Sequence, residues 1–320
     1  MRFLARRLLH ALFLLAGVSI LCFAFTSLAP GTYFDELKLN PQVSRETIAA
    51  LQSQYGLDKV FPVRYLDWIK AALGGNWGYS LAYNSPIRPL LLVRAWNTLL
   101  LTATATLLAW MIAIPLGIWM ALRAGGWRDR LCTGATSVLL AVPELVVALL
   151  FLELAVRTNV LPAGGMASLN PEHAGLLPGL RDLAWHLVIP VVALTLATLP
   201  ILLRHVRSSM REVLGAPFIQ AARGHGVGPF RLLFRYVLPA GANPLISLFG
   251  LSLGGLLSAS LLVEVVVGWP GLGPFLLDAA MSRDLYVVID VVMASTLFMV
   301  MGNLVADVLL LAVDPRIRAD

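Results

Sequence analysis

Long stretches without charged residues alternate along this chain with short stretches in which arginine is concentrated. Six of the apolar stretches are long enough to cross a membrane, since about 20 helical residues span a hydrocarbon core of roughly 30 Å. The six predicted spans are residues 8–29, 95–122, 131–156, 183–203, 236–263 and 284–313. The pattern therefore predicts an all-α polytopic membrane protein, with the third span broken at Pro143.

The polar segment 30–94 separates the first two spans, and its pattern predicts two helices of its own. Ser44 is suited to cap the first helix and Gly56 to end it, while Pro62 is suited to open the second. The apolar positions are Ile48, Leu51 and Tyr55 in the first helix and Leu66, Ile69 and Leu73 in the second. We expect both helices to lie against the membrane surface or a neighbouring subunit.

Composition supports a membrane location. Apolar residues make up 58% of the chain and charged residues 13%, about half the charged share of a soluble globular protein. The net charge of +6 comes from arginines in separate short loops, so it does not indicate a nucleic-acid surface. Two cysteines, each in an apolar run, predict no disulfide framework.

The distribution of basic residues predicts the orientation of the chain. Arg2, Arg6 and Arg7 precede the first span and place the N-terminus in the cytoplasm. With six spans, the cytoplasmic segments hold 14 of the 24 Arg and Lys residues but only four of the 18 Asp and Glu residues. Both termini are therefore predicted to be cytoplasmic. The first span is longer than the apolar region of a secretory signal, which favours a retained helix.

These predictions divide the chain into four parts. They are a cytoplasmic tail with the first span (1–29), an extracytoplasmic segment with amphipathic helices (30–94), a core of five spans (95–313) and a cytoplasmic tail (314–320). The core contains a polar cytoplasmic loop at 205–240, where a membrane protein needs only a short turn.

Within that loop, residues 217–239 predict a small helix, a glycine turn and a return to the membrane. Pro217 is suited to a first helical turn, and Phe218, Ala221 and Ala222 share one side of the helix that follows. Arginines surround this apolar tip at positions 223, 231 and 235. Such a knob suits a groove on a soluble partner, and it also suits a surface of lipid headgroups. The residues alone favour neither interpretation.

The spacing of this segment resembles the Glu-Ala-Ala loop of ATP-binding-cassette importer permeases. Gln220-Ala221-Ala222 is followed by Gly226 and by Leu238-Pro239 at the separations typical of that family, with Gln in place of the usual Glu. The resemblance implies a coupling helix that docks in a cleft of an ATPase subunit. The implied coupling residues are Phe218, Gln220, Ala221, Ala222, Arg223, Gly226, Leu238 and Pro239.

Segments along the whole chain resemble the peptide and nickel branch of this family. They are Leu28-Ala29-Pro30-Gly31, Tyr55-Gly56-Leu57-Asp58, Gly78-Tyr79-Ser80, Leu161-Pro162-Ala163-Gly164-Gly165, Glu264 with Pro270-Gly271-Leu272-Gly273, and Asp314-Pro315-Arg316. The resemblance implies a type I importer permease fold and the import of short peptides or a nickel chelate.

The same resemblance implies the partners. They are a similar second permease, two ATP-binding subunits and an extracytoplasmic substrate-binding protein. The chain has no Gly-rich phosphate loop ending in Gly-Lys-Ser/Thr, so we expect ATP and Mg²⁺ to be bound by the ATPase subunits and no cofactor by this chain. It also lacks a nucleophile elbow and histidines at metal-ligand spacing, which predicts neither a catalytic nor a metal site.

Acidic residues inside predicted spans are candidate sites, since each costs about 2.5–3.5 kcal/mol on insertion. Glu144 could line a translocation path and contact a cationic group, or it could be a structural carboxylate. Glu264 could line the translocation path or anchor the loop that contains Pro270, Gly271 and Gly273. By resemblance, this loop re-enters near the outer mouth of the path. We expect Glu153 at a solvated edge. Asp290 and Asp307 are expected at the two membrane interfaces.

Two further features leave alternatives open. Gly250, Gly254 and Ser258 lie on one helix face, which suits contact either with a second permease or with another helix of this chain. An ion-coupled transporter could use Glu144, Glu153 or Glu264 as proton sites, and a membrane scaffold would transport nothing. The lack of an internal repeat and the basic loop argue against the ion-coupled transporter.

Overall fold

The computed structural model describes residues 2–28, 34, 44–54, 56, 59–168 and 175–313. In this part of the chain the regular elements are helices, apart from one antiparallel pair of two-residue strands. In chain order they are α1 (Arg2–Leu28), α2 (Arg45–Gln54), α3 (Phe61–Leu73), β1 (Tyr79–Ser80), β2 (Ser85–Pro86), α4 (Ile87–Leu122), α5 (Trp127–Ala141), α6 (Glu144–Thr158), α7 (Leu176–Leu214), α8 (Pro217–Gly224), α9 (Pro229–Leu232), a π-helical segment (Leu233–Val237), α10 (Leu238–Val267), α11 (Leu272–Met281) and α12 (Leu285–Val313).

Among the described residues, five helical stretches are long and apolar enough to cross a membrane, and two broken pairs raise the number to seven at most. The six predicted spans fall within this range. The third of them is a broken pair, in which α5 and α6 meet at an angle of 92°. Val142 is extended because the following proline disfavours helical backbone, and Pro143 then precedes the first turn of α6. The predicted break at Pro143 is confirmed.

The chain forms two compact units. Unit A comprises Met1–Asn97 and Pro270–Leu297, and unit B comprises Thr98–Trp269 and Phe298–Asp320. In unit A, α3 packs against α1 through aromatic side chains. The Phe23 side chain is only 1% exposed and meets the rings of Phe61, Tyr65 and Trp68 at centroid distances of 5.5–5.9 Å.

Both helices predicted in the extracytoplasmic segment are present, with their predicted starts. The Ser44 hydroxyl accepts a hydrogen bond from the Thr47 backbone at 3.1 Å, and Pro62 lies in the first turn of α3. The side of α3 that packs inward is its aromatic side, which the apolar pattern did not single out. Leu66 and Leu73 are instead 54% and 86% exposed.

A buried carboxylate holds the short strand pair in unit A. The Asp284 Oδ2 atom accepts a hydrogen bond from the Ser80 hydroxyl at 2.7 Å and from the Ala82 backbone at 3.1 Å. The Tyr83 hydroxyl donates to Asp278 at 2.8 Å. Burial, together with this hydrogen bond, raises the pKa of Tyr83 to about 12. The phenol therefore remains a protonated donor at neutral pH.

Unit B is built around α7, which packs against α5, α6 and α10. Two groups of buried apolar side chains fill it. One joins α4, α6, α7 and α10 around Leu101, Ala148, Leu194 and Val263. The other surrounds the part of α7 that leads to α8. The second group anchors the polar loop described below.

The glycine face of α10 packs within the chain. A Cβ atom added at Gly250 would lie 2.4 Å from the Ala306 side chain, and one added at Gly254 would lie 2.9 Å from Met299. Gly302 of α12 likewise faces Leu253 of α10. These glycines let α10 and α12 approach closely, as small residues do between membrane helices. Of the two predicted alternatives, contact with a second permease or with another helix of this chain, Gly250 and Gly254 make the second.

We expect Gly250→Val to destabilise the protein by about 1–3 kcal/mol, because overpacking forces neighbouring atoms apart. Gly255→Val is the matched control on the same helix, since an added Cβ there meets no atom within 4 Å. Thermal unfolding in detergent would compare the two. Equal unfolding temperatures for both variants would contradict the packing of α10 on α12.

Asp290 and Asp307, which were predicted to lie at the membrane interfaces, are both 6% exposed and are therefore covered by the chain itself. In unit A, the neighbours of Asp290, Ile289 and Val291, are also fully covered. In unit B, Asp307 follows Ala306, which packs against α10. Burial at both positions results from tertiary contacts of α12, which position along the span did not indicate.

Candidate coupling site

The helix α8 is attached to unit B by one apolar side chain. Ile219 is fully buried among side chains of α7 and of the return segment, including Met210, Leu232 and Val237. Ala222 is half-buried against the same group. Pro217 begins the helix, as predicted. Ile219 was not predicted as an anchor, although it occurs three residues before Ala222 on the same helical side.

The opposite side of α8 is exposed. Phe218 is 49% exposed, and Gln220, Ala221 and Arg223 are also exposed. The Gln220 side chain donates to the Gly215 carbonyl at 3.3 Å, within its own loop. Phe218 and Ala221 thus form the predicted apolar tip. Ala222 instead turns toward the core, because Ile219 orients the helix.

A tight turn at Gly226 ends α8. The Gly226 backbone donates to the Arg223 carbonyl at 2.9 Å, and the residue has a φ of +77°, which favours glycine. A Cβ atom added there would meet no atom of the chain within 4 Å. Glycine is therefore required by the backbone, while the space around it within this chain is open.

The return to the membrane passes through α9 and the π-helical segment into α10. π-helical turns are rare and occur frequently at functional sites. Leu238 packs against the buried group of unit B, whereas Pro239 is exposed in the first turn of α10. Phe230 and Phe234 stack at 6.5 Å and are 79% and 62% exposed. Their spacing of four residues was the signal for this exposed pair, which the sequence argument missed.

A bidentate ion pair braces the helix that leads to α8. The Arg207 guanidinium on α7 donates to both oxygens of Asp129 on α5, at 2.7 Å each. Asp129 also accepts from the Gly125 backbone at 2.9 Å. The Asp129 side chain is 3% exposed and that of Arg207 is 25% exposed. This contact holds the predicted cytoplasmic turn before α5 against α7, near the end of α7 that leads to α8.

The two candidate path residues lie in different surroundings. Glu144 is the first residue of α6, directly after the break, and is half-buried. The N-terminus of a helix attracts negative charge, which suits a glutamate there both as a path residue and as a structural carboxylate. Glu264 is fully buried in α10. Glu153 is exposed and paired with Arg157, as expected of a solvated edge.

The segment Leu161–Gly165 docks on the end of α10 in unit B. The Gly165 backbone donates to the Val267 carbonyl at 3.1 Å. A Cβ atom at Gly164 would lie only 2.5 Å from that carbonyl oxygen, so the contact requires glycine. This explains Gly164, whereas Gly165 has a φ of +81°, which favours glycine.

In unit A, the residues predicted for the re-entrant loop begin α11. The Pro270 carbonyl accepts a hydrogen bond from the Asn97 amide at 2.8 Å, Gly271 precedes the helix, and Gly273 is buried. The segments 29–31, 57–58 and 314–316, together with Tyr55, lie outside the described residues.

Comparison with known families assigns the chain. The family described as "Binding-protein-dependent transport system inner membrane component" matches residues 113–319, and its N-terminal family matches residues 1–87. This chain belongs to that family. The permease is therefore a multi-pass inner-membrane transport subunit rather than an enzyme.

Curated relatives match the permease along nearly its whole length. It is 34% identical to the oligopeptide transport system permease protein AppB of Bacillus subtilis (strain 168), over 99% of each chain. It is 30% identical to the dipeptide transport system permease protein DppB of Escherichia coli (strain K12), again over 99% of each chain. The resemblance to importer permeases is thus confirmed.

The fold also matches a solved transporter. A chain of the MetNI methionine ABC transporter in an inward-facing conformation superposes with a TM-score of 0.55 at 17% identity, covering 70% of the permease and 96% of that chain. The predicted ABC-importer permease fold is confirmed.

Proposed function

We propose that this permease moves short peptides into the cytoplasm by alternating access, driven by ATP hydrolysis in separate subunits. Support for peptides comes from relatives named for oligopeptide and dipeptide transport. A nickel chelate is the other cargo implied by the sequence. In the described residues, no group of three or more His, Cys, Asp and Glu side chains could hold a metal ion.

Membership in a binding-protein-dependent family implies ATPase and binding-protein partners. We further propose a similar second permease and two ATPase subunits that bind ATP and Mg²⁺. The observation that carries the coupling assignment is α8, which is anchored by the buried Ile219 and presents Phe218, Ala221 and Arg223 outward. An apolar tip with a basic surround fits a groove on a soluble partner.

We further propose that Gln220, Ala222 and Gly226 shape this tip, and that Leu238 and Pro239 set its return into the membrane. For the translocation path we keep Glu144 and Glu264 as candidates, with Pro270, Gly271 and Gly273 forming the outer loop. Glu144→Gln tests the first of these. Reduced uptake of a cationic peptide with unchanged uptake of a neutral one is the expected result.

Reconstitution in proteoliposomes with the ATPase and binding-protein partners tests the proposed function. We expect tripeptide uptake that requires ATP, together with ATPase activity stimulated by the loaded binding protein. Uptake that continues without ATP and collapses with a protonophore would instead support the ion-coupled transporter. Full assembly without peptide uptake or ATPase stimulation would support the scaffold.

A further inference from the structure

Unit A contains a cavity of about 540 Å³. Small-molecule sites commonly have volumes of about 300–1,000 Å³. Its lining comes from the end of α2 and the connection to α3, from α3 itself, from the strand pair and the segment before it, and from the first turn of α12. Because these segments are far apart in the sequence, the cavity exists only in the folded unit. By the predicted topology it lies on the extracytoplasmic side.

Aromatic side chains form much of the wall. Trp68 comes from α3, Tyr79 from β1 and Tyr286 from α12. Trp68 is held in place by its contact with Phe23, at a centroid distance of 5.7 Å. The Tyr79 hydroxyl donates to Asn84 at 2.7 Å, which fixes its ring. A preformed aromatic wall of this kind suits an apolar or aromatic side chain.

The charges in the lining are predominantly positive. Lys59 and Asp67 form an ion pair of 2.7 Å in which both side chains are 48% exposed. Hydrogen bonding and the charge of Lys59 lower the pKa of Asp67, so this carboxyl group is ionised at neutral pH. Arg64 adds a second cation, which leaves one net positive charge.

Arg64 is positioned without a carboxylate partner among the described residues. Its guanidinium donates to the Ser27 hydroxyl and lies 5.2 Å from the centre of the Phe23 ring. Both contacts are with α1 and orient the side chain. A guanidinium presents five donors in a planar fork that matches a carboxylate. The guanidinium N–H groups that do not bond to Ser27 are the strongest anion-binding feature of the cavity.

We propose that this cavity binds the C-terminal end of a short peptide, with Arg64 contacting the free carboxylate and the aromatic wall contacting the last side chain. This site rests on the proposed function in naming peptides as the ligand. It would be an outer binding site on the permease itself, and none of the candidate path residues lines it. Lys59 is a second cation within the same lining, held by Asp67 in the free protein.

The test measures binding of N-acetyl-Ala-Phe, as the free acid and as the C-terminal amide, to the transporter in nanodiscs without its binding protein. We expect saturable binding of the acid, about tenfold tighter than the amide, as a charge-assisted hydrogen bond would give. Arg64→Met should remove this difference by weakening only the acid.

Arg88→Gln is the matched control, because Arg88 also lies in unit A but stacks over Trp77 and does not line the cavity. It should leave both affinities unchanged. Arg64→Lys retains the charge and should therefore recover part of the preference for the acid over the amide. If lost packing of Arg64 were the whole cause, both Arg64 variants would bind the acid equally weakly. Thermal unfolding of each variant establishes that the protein is folded.

Equal affinity for acid and amide, or no saturable binding of either, would overturn the proposal. The proposal would also be overturned if the only defect of the Arg64→Met variant were weaker association of the binding protein, because the cavity would then bind that partner. Failure of the proposed function has a different signature. The wild-type transporter would import no peptide, while acid-selective binding dependent on Arg64 would still be measured.

Discussion

Gly226→Arg should abolish ATP-driven uptake while leaving the permease folded in the membrane. In this chain the space around Gly226 is open, so the added side chain meets no neighbour of its own. It would instead project beside the exposed tip formed by Phe218 and Ala221. Disruption at the centre of an interface commonly costs about 2 kcal/mol or more, roughly thirtyfold in affinity. Co-purification of the ATPase and peptide uptake measure the effect.

Gly165→Arg is the matched control for this variant. Gly165 lies in a predicted outer loop, has a φ of +81° and has open space around it. Both substitutions therefore introduce similar backbone strain, about 1–2 kcal/mol for a left-handed residue. Only the variant at Gly226 should lose the ATPase. Equal losses for the two variants would mean that strain, rather than docking, explains the effect, and the coupling assignment would then fail.

Asp129→Ala should destabilise the permease by about 1.5–3 kcal/mol, as expected when a charge-assisted hydrogen-bond network is broken. The substitution leaves the Arg207 guanidinium and the Gly125 backbone without their shared acceptor. Because the same contact braces α7 ahead of α8, we also expect weaker stimulation of the ATPase. Thermal unfolding and ATPase assays measure the two effects.

Arg204→Ala serves as the comparison on the same helix, since Arg204 makes one exposed hydrogen bond, to Ser137 at 3.1 Å. It should change the unfolding temperature little. Arg207→Ala should resemble Asp129→Ala, and the double variant should be no worse than either. Additive losses in the double variant would show that the two side chains do not act as a pair.

The membrane-crossing helices could be predicted because each depends on a local property. A charge inside hydrocarbon is costly wherever it occurs, so gaps between charges mark the spans. The break at Pro143 was predictable for a similar reason, since proline acts on the backbone of its own helix. The cap at Ser44 likewise depends on residues within one turn.

Features that depend on distant residues could not be predicted in this way. Asp129 and Arg207 are 78 positions apart, and no periodicity relates them. Ile219 is buried because α7 and the return segment cover it, and its own place in the sequence does not show this. Packing of α12 buries Asp290 and Asp307, and their position along the span did not indicate this burial.

The candidate site was predicted largely from resemblance. Spacing predicted that Gln220-Ala221-Ala222 and Gly226 belong to a coupling loop, and the structure shows which side chains of that loop are exposed. The turn at Gly226 has a physical basis in its positive φ, but the replacement of Glu by Gln at position 220 has none in this chain. The Gln220 side chain bonds within its own loop, so its role toward a partner depends on the assembled transporter.

The length of α7 has a mechanical consequence. Its 39 residues form a rod about 58 Å long, nearly twice the thickness of the hydrocarbon core. A tilt of ~10° about one end of such a rod would displace the other by ~10 Å. Pro190 and Pro200 interrupt its hydrogen bonding and are the points at which it can flex. Under the proposed coupling role of α8, small rotations imposed there would become large displacements at the other end of α7 as long as the helix moves as one rod.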